Sequence, residues 1–151
     1  MSSERARKVL DRRFATLPAG DALQAPHRGW IRAIRDALGM TAAQMARRMG
    51  VSQPRITKLE KAEVTGAVTL ASLEKAADAL GCTLVYALVP RQPLERTIHA
   101  RAEQKARQHL DRIHHTMALE DQATDNPILI NELSALTRQY EHDPRGLWDE
   151  G

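Results

Sequence analysis

Apolar positions recur along this chain at helical spacing, and only one stretch departs from it. Between residues 41 and 61, Ala42, Met45, Ala46 and Met49 mark one narrow stripe, and Ile56 and Leu59 mark a second. Both follow the three-to-four-residue interval of a helix face. Gly50 falls between the stripes, where the left-handed backbone that ends a helix is cheap only for glycine. Thr41 and Ser52 stand as N-caps, and Pro54 lies in the first turn of the second segment, where a missing N–H does no harm. The pattern predicts two short helices joined by a tight turn that Val51 plugs.

The other elements follow from the same reading. Residues 4–15 alternate basic residues with Ala6, Val9, Leu10 and Phe14, which predicts a short helix or a basic arm that orders on DNA. Pro18, Gly20, Pro26 and Gly29 make 17–29 a linker. Trp30, Ile31, Ile34 and Leu38 share one side of a helix over about 30–38, ended by Gly39. Residues 61–68 read as a loop. Thr69 then caps a helix whose buried face is Leu70, Leu73, Ala76, Ala77 and Leu80, with Gly81 closing it. Leu94, Ile98, Ala102, Ala106, Leu110, Ile113, Met117 and Leu119 predict a long amphipathic helix over 93–122. Asp125, Asn126 and Pro127 break it, and a last helix over roughly 128–141 carries Ile128, Leu129, Leu133, Leu136 and Tyr140.

Residues 82–90, CTLVYALVP, are different in kind: β-branched, apolar, without helix caps, and stopped by Pro90. They read as a strand. A lone strand must pair with something, and this chain offers no second convincing one. The expectation is the same strand of a second copy, with Thr83, Leu84, Val85, Tyr86 and Leu88 at a two-fold dimer interface. A buried extended segment or a helix extension is the competing reading. The predicted fold class is mostly α: a basic arm and linker at 1–28, a helix-turn-helix domain at 29–81, a dimerising β-strand at 82–90, and a helical partner-binding region at 91–151.

Composition supports helices and narrows the function. The 151 residues suffice for one compact domain with an appendage, and aromatics make up only 3%. No apolar run approaches the roughly 20 residues of a membrane span, and MSSERARKVLDRR lacks the apolar segment of a secretory signal. A single cysteine, Cys82, excludes an intramolecular disulfide framework. The expected setting is soluble and cytoplasmic. The net charge of +3 hides a gradient: residues 1–60 carry 12 Lys/Arg against 5 Asp/Glu, residues 61–119 carry 8 against 6, and residues 120–151 carry 2 against 8. A basic front half suits a polyanion; the acidic end suits a protein partner or stays solvated.

The second helix of the 41–61 pair leaves Gln53, Pro54, Arg55, Thr57, Lys58 and Lys61 on or near its outer face, with no acid before Glu60. An ordinary α-hairpin explains the apolar spacing but not that face. The residues fit a helix that enters a DNA groove. Gln53 is the candidate base reader, since its amide can engage adenine N6 and N7 together. Arg55 and Lys58 suit bases or phosphates, whereas Arg47, Arg48 and Lys61 suit phosphates, with Ser52 and Thr57 beside them. Catalysis is not expected. Cys82 has no His or acid at a fixed spacing, and His109, His114 and His115 sit poorly on one helix face for a metal. No cofactor motif occurs.

Two resemblances sharpen this picture. Residues 30–80 resemble the Cro/C1-type (XRE-type) five-helix DNA-binding domain, through Arg35, Gln44-Met45-Ala46, Gly50-Val51-Ser52, Ile56 and Leu59-Glu60. The resemblance implies that Gln53 reads a base, that Pro54 and Lys58 lie against the groove, and that Arg35 and Glu60 form a buried ion pair. The chain departs from that pattern at Ala62, where glycine is usual, and in a longer following loop. Across nearly its whole length, through GWIRAIRDALGM, VTLASLEKAADALGCTLVYALVP, HTMALEDQ and LWDEG, the chain also resembles the "mobile mystery protein A" family. Members are encoded on mobile bacterial elements beside a companion with a Fic domain. That resemblance implies an antitoxin or regulator in a toxin–antitoxin-like pair. Inhibitory helices of Fic proteins carry a Ser/Thr four residues before a Glu that Gly or Asn follows; Thr116 with Glu120 fits that spacing on one helix face, and Asp121 departs from the last position. Two functions follow from the sequence: a homodimeric repressor of a palindromic operator in an operon shared with a Fic-domain protein, or primarily an inhibitor of that partner's AMP transfer.

Overall fold

A computed structural model describes residues 2–18, 20–114 and 126–149. The chain divides into two compact units, Pro18–Leu88 and Met1–Leu17 with Val89–Gly151. Among the described residues the regular structure is entirely helical.

In the first unit, α2 (Trp30–Ala37), α3 (Ala42–Met49), α4 (Gln53–Thr65) and α5 (Leu70–Ala79) surround one core. Ile31, Met45, Ala46, Ile56, Ala76 and Leu80 are its buried members, with Met45 and Ile56 fully enclosed at the α3–α4 contact. Burying two such side chains contributes about 1.5–3 kcal/mol each, so this contact fixes how the helix pair is held. Thr41 caps α3 through a reciprocal capping box with Gln44, and Thr69 caps α5 through the Ser72 N–H. Gly50 adopts the left-handed conformation expected of it (φ +67°), ending α3 three residues before α4 begins.

Two expectations need correction here, and a third concerns pairing with a second copy. The predicted loop over 61–68 is mostly helix: α4 continues to Thr65, and Gly66 ends it in the left-handed conformation. A glycine four residues beyond Ala62 therefore does the work that the usual one would do, and α4 gains more than a turn. Leu70, predicted on the buried face of α5, is exposed at its start, and of the residues sharing one side of α2, Trp30 and Leu38 are exposed. Residues 82–90 form neither strand nor helix; the run is irregular, and its apolar side chains are mostly exposed. A strand needs a hydrogen-bonding neighbour, and the single chain supplies none among the described residues.

The second unit contains α1 (Ser3–Ala15), α6 (Leu94–His114) and α7 (Pro127–His142). Within the stretch grouped as arm and linker, α1 forms the short helix that was one of the two readings of residues 4–15, and it docks on α6. Asp11 caps α6, accepting from the Leu94 N–H at 2.8 Å and the Glu95 N–H at 3.1 Å, and buried Arg7 meets Glu95 at 3.2 Å. α6 and α7 pack together, with Ile98, Ala102 and fully buried Leu147 forming a small core beside Tyr140. Arg101 donates to the Leu147 carbonyl and lies 5.8 Å from the Trp148 ring centre. Of the predicted helix over 93–122, the described residues show α6 as far as His114; Thr116 and Glu120 lie outside them.

Candidate nucleic-acid interface

The candidate surface is built on α4, whose two faces have opposite chemistry. Ile56 and Glu60 are buried and Leu59 is partly so. Pro54, Thr57, Lys58 and Lys61 follow the i, i+3, i+4, i+7 progression of one helix face, and all are exposed, as are Gln53 and Arg55. Arg47, in the last turn of α3, is exposed as well. Ser52 occupies the N-cap position of α4, but its hydroxyl accepts no bond from the helix. The expected side-chain cap is therefore not made, and the first N–H groups of α4 keep their positive end of the helix dipole uncovered.

Both acids of α4 are turned away from that surface. Arg35 Nε donates to Glu60 Oε1 at 2.7 Å, with both residues buried, while Arg35 Nη1 donates to the Met40 carbonyl at 2.8 Å. The hydrogen bond to Glu60 holds the Arg35 guanidinium above its usual pKa, outweighing the opposing effect of burial. Asp36 adds a second carboxylate to the same guanidinium at 3.0 Å. The ion pair that the sequence pointed to is thus present, linking α2 to α4.

Glu63, one turn later, does a job the sequence did not announce. Its carboxylate accepts from the Trp30 N–H at 2.7 Å and the Ile31 N–H at 3.0 Å, capping α2 from another helix. Gly29, the residue at the N-cap position, offers no side chain for this purpose, and its backbone has φ +83°. A glycine without a capping side chain ahead of a helix is the one local hint that the cap comes from elsewhere. With Glu60 and Glu63 engaged inward, the outer face of α4 carries cations and neutral groups and no acid.

Arg48 is placed differently from the other predicted phosphate contacts. Its Nε donates to the Ala79 carbonyl at 2.7 Å, tying α3 to the end of α5, and it lines a shallow groove with Met49, Lys75 and Asp78. The geometry brings Gln53, Pro54, Thr57, Lys58 and Lys61 together, flanked by Ser52 and Arg55, and gives Arg48 a structural bond. Among the described residues, no cluster of three or more potential metal ligands occurs, and no helix is long and apolar enough to cross a membrane.

No curated protein matches the chain, nor does any solved structure. A family model does match: helix-turn-helix, over residues 31–86, which span α2 to α5 and most of the extended run after them. The short turn at Gly50–Ser52, the enclosed Met45–Ile56 contact and the acid-free outer face of α4 all lie inside that match. Residues 31–86 are thus similar to the helix-turn-helix family, in sequence and in the arrangement of their helices.

Proposed function

We propose that the chain is a sequence-specific DNA-binding transcriptional regulator that acts by binding, without catalysis, in the cytoplasm. The observation that carries this is the division of α4: both of its carboxylates are buried or bound to α2, while every cation on it faces solvent. In this reading Gln53 reads a base edge. Lys58, Arg55 and Thr57 contact bases or phosphates, Pro54 packs against the groove wall, and Ser52, Lys61 and Arg47 hold phosphates. A gel shift with the DNA upstream of its own operon tests this directly. Preference for that fragment over random duplex is expected; equal affinity for both would remove the reading.

The regulator works as a homodimer paired through Thr83, Leu84, Val85, Tyr86 and Leu88. The exposure of Val85 (84%), Tyr86 (70%) and Leu88 (89%), in a backbone without hydrogen-bond partners among the described residues, supports this pairing. Two recognition helices about 34 Å apart then match a palindromic operator. Sedimentation of Tyr86→Lys should show a monomer; an unchanged dimer would place the interface elsewhere.

The sequence resemblance supports a finer reading. The chain is the antitoxin-like partner of a Fic-domain protein, with repression as autoregulation of their shared operon, and α6 and α7 belong to the partner-binding region. Thr116 and Glu120 are the proposed inhibitory pair. Copurification of the two proteins without DNA tests the association. Glu120→Gly should release AMP transfer by the partner while operator binding persists, and unchanged transfer would end the inhibitory assignment.

A further inference from the structure

We infer that α1 carries a second DNA-contacting surface, one that takes the phosphate backbone of any duplex. This rests on the DNA-binding reading of α4 but uses none of its residues. α1 turns Arg7 and Asp11 toward α6, one turn apart, and Phe14, half-buried, follows them at the i, i+4, i+7 spacing of one face. Arg5 and Arg12 lie on the opposite side, two turns or about 10 Å apart along the axis, with Arg13 beside them, and all three are exposed.

The nearby acids are already occupied. Glu4 pairs with Lys8 within the helix, Asp11 gives both oxygens to the start of α6, and Glu95 meets Arg7. Arg5, Arg12 and Arg13 make no ion pair among the described residues. Three unneutralised guanidinia on the outer side of one rigid helix fit a regularly charged polyanion. A guanidinium can bind a phosphate through two N–H groups at once. The contacts are to phosphate, so they add affinity and salt dependence without reading sequence.

The test is a salt titration of DNA binding by the full chain and by an Arg5→Gln/Arg12→Gln/Arg13→Gln variant. Each lost phosphate contact should flatten the slope of log affinity against log salt by about 0.9, so the variant should lose up to about 2.7. The loss should be the same for the upstream fragment and for random duplex, leaving their affinity ratio unchanged. Lysine at all three positions should restore most of the slope, which mere repair of the fold would not require. An unchanged slope in the glutamine variant, with helicity intact by circular dichroism, overturns the inference. So does binding of the unmodified chain to phosphatidylserine vesicles that these arginines support while DNA affinity stays constant. A chain that binds all duplexes equally, with a slope still dependent on the three arginines, would sink the operator reading and leave this one standing.

Discussion

The carboxylate of Glu63 fills the space that a side chain on Gly29 would need. A Cβ built on Gly29 would lie 2.6 Å from Glu63 Oε2, closer than real Cβ contacts come. The same carboxylate holds the first two N–H groups of α2. The missing side chain at residue 29 and the acid at residue 63 are therefore one device: a helix capped by its neighbour through a gap only glycine leaves.

Replacing Gly29 with alanine should destabilise the first unit by about 1–3 kcal/mol, because the backbone conformation there is nearly exclusive to glycine. Glu63→Ala alone should cost about 0.5–2 kcal/mol, the usual loss of a cap. The two effects should not add. With Glu63 already truncated, Gly29→Ala keeps its backbone strain but loses its clash, and urea unfolding of the double variant should reveal a coupling of that sign. Strict additivity would separate the two residues.

Arg35→Ala should lose about 3–5 kcal/mol, since it leaves the Glu60 carboxylate buried without its partner. The guanidinium's raised pKa places its protonation-linked stability wholly below the strongly alkaline range. The pair's contribution should therefore be flat across neutral pH on the arginine's side and fall only at very high pH as the arginine discharges. Replacing both residues by Met and Leu should recover much of the loss. Thermal melts would check this: an Arg35→Ala chain as stable as the parent removes the pair from the fold's supports.

On DNA, Gln53→Ala should weaken operator binding by about 1–3 kcal/mol and relax preference at one base pair. Lys61→Ala should instead weaken every sequence alike and reduce the salt slope by about 1. Binding to a set of operator variants, each changed at one base pair, distinguishes the two. A uniform loss for Gln53→Ala would move base reading to another residue.

In acid, the Asp143 and Glu103 carboxyls should titrate below their usual ranges, chiefly because hydrogen bonds from Arg145 and Arg107 favour the charged forms. A depressed folded value means the stabilisation is present above the unfolded value and is lost as pH falls through the folded one. Carboxyl carbon shifts followed by NMR should return to the ordinary range for Asp143 in Arg145→Ala; no change would show the two are not in contact in solution.

The helix pair at 41–61 was legible because its signals are local: Thr41, Gly50, Ser52 and the apolar stripes sit within a few residues of what they determine. The Arg35–Glu60 pair became legible through resemblance. What escaped depends on distant partners. Glu63 acts on residues 32 and 33 positions away, Asp11 on residues 83 and 84 away, and Arg48 on a carbonyl 31 away. Local spacing carries no sign of such bonds. The end of α4 was misplaced for a related reason: Ala62, Glu63 and Val64 permit either helix or loop, and the packing of Glu63 against α2 favours helix. At 82–90 the composition spoke for a strand, but pairing is a property of two segments, and the described residues of one chain supply no second.

Because the fold's attachments to α4 all leave from its inner side, the outer side proposed to meet DNA is free to vary. Gln53, Thr57, Lys58 and Lys61 make no hydrogen bond or ion pair among the described residues that holds the four-helix core together. Under the proposed reading, exchanging those few letters rewrites the operator, and the scaffold beneath should not register the change.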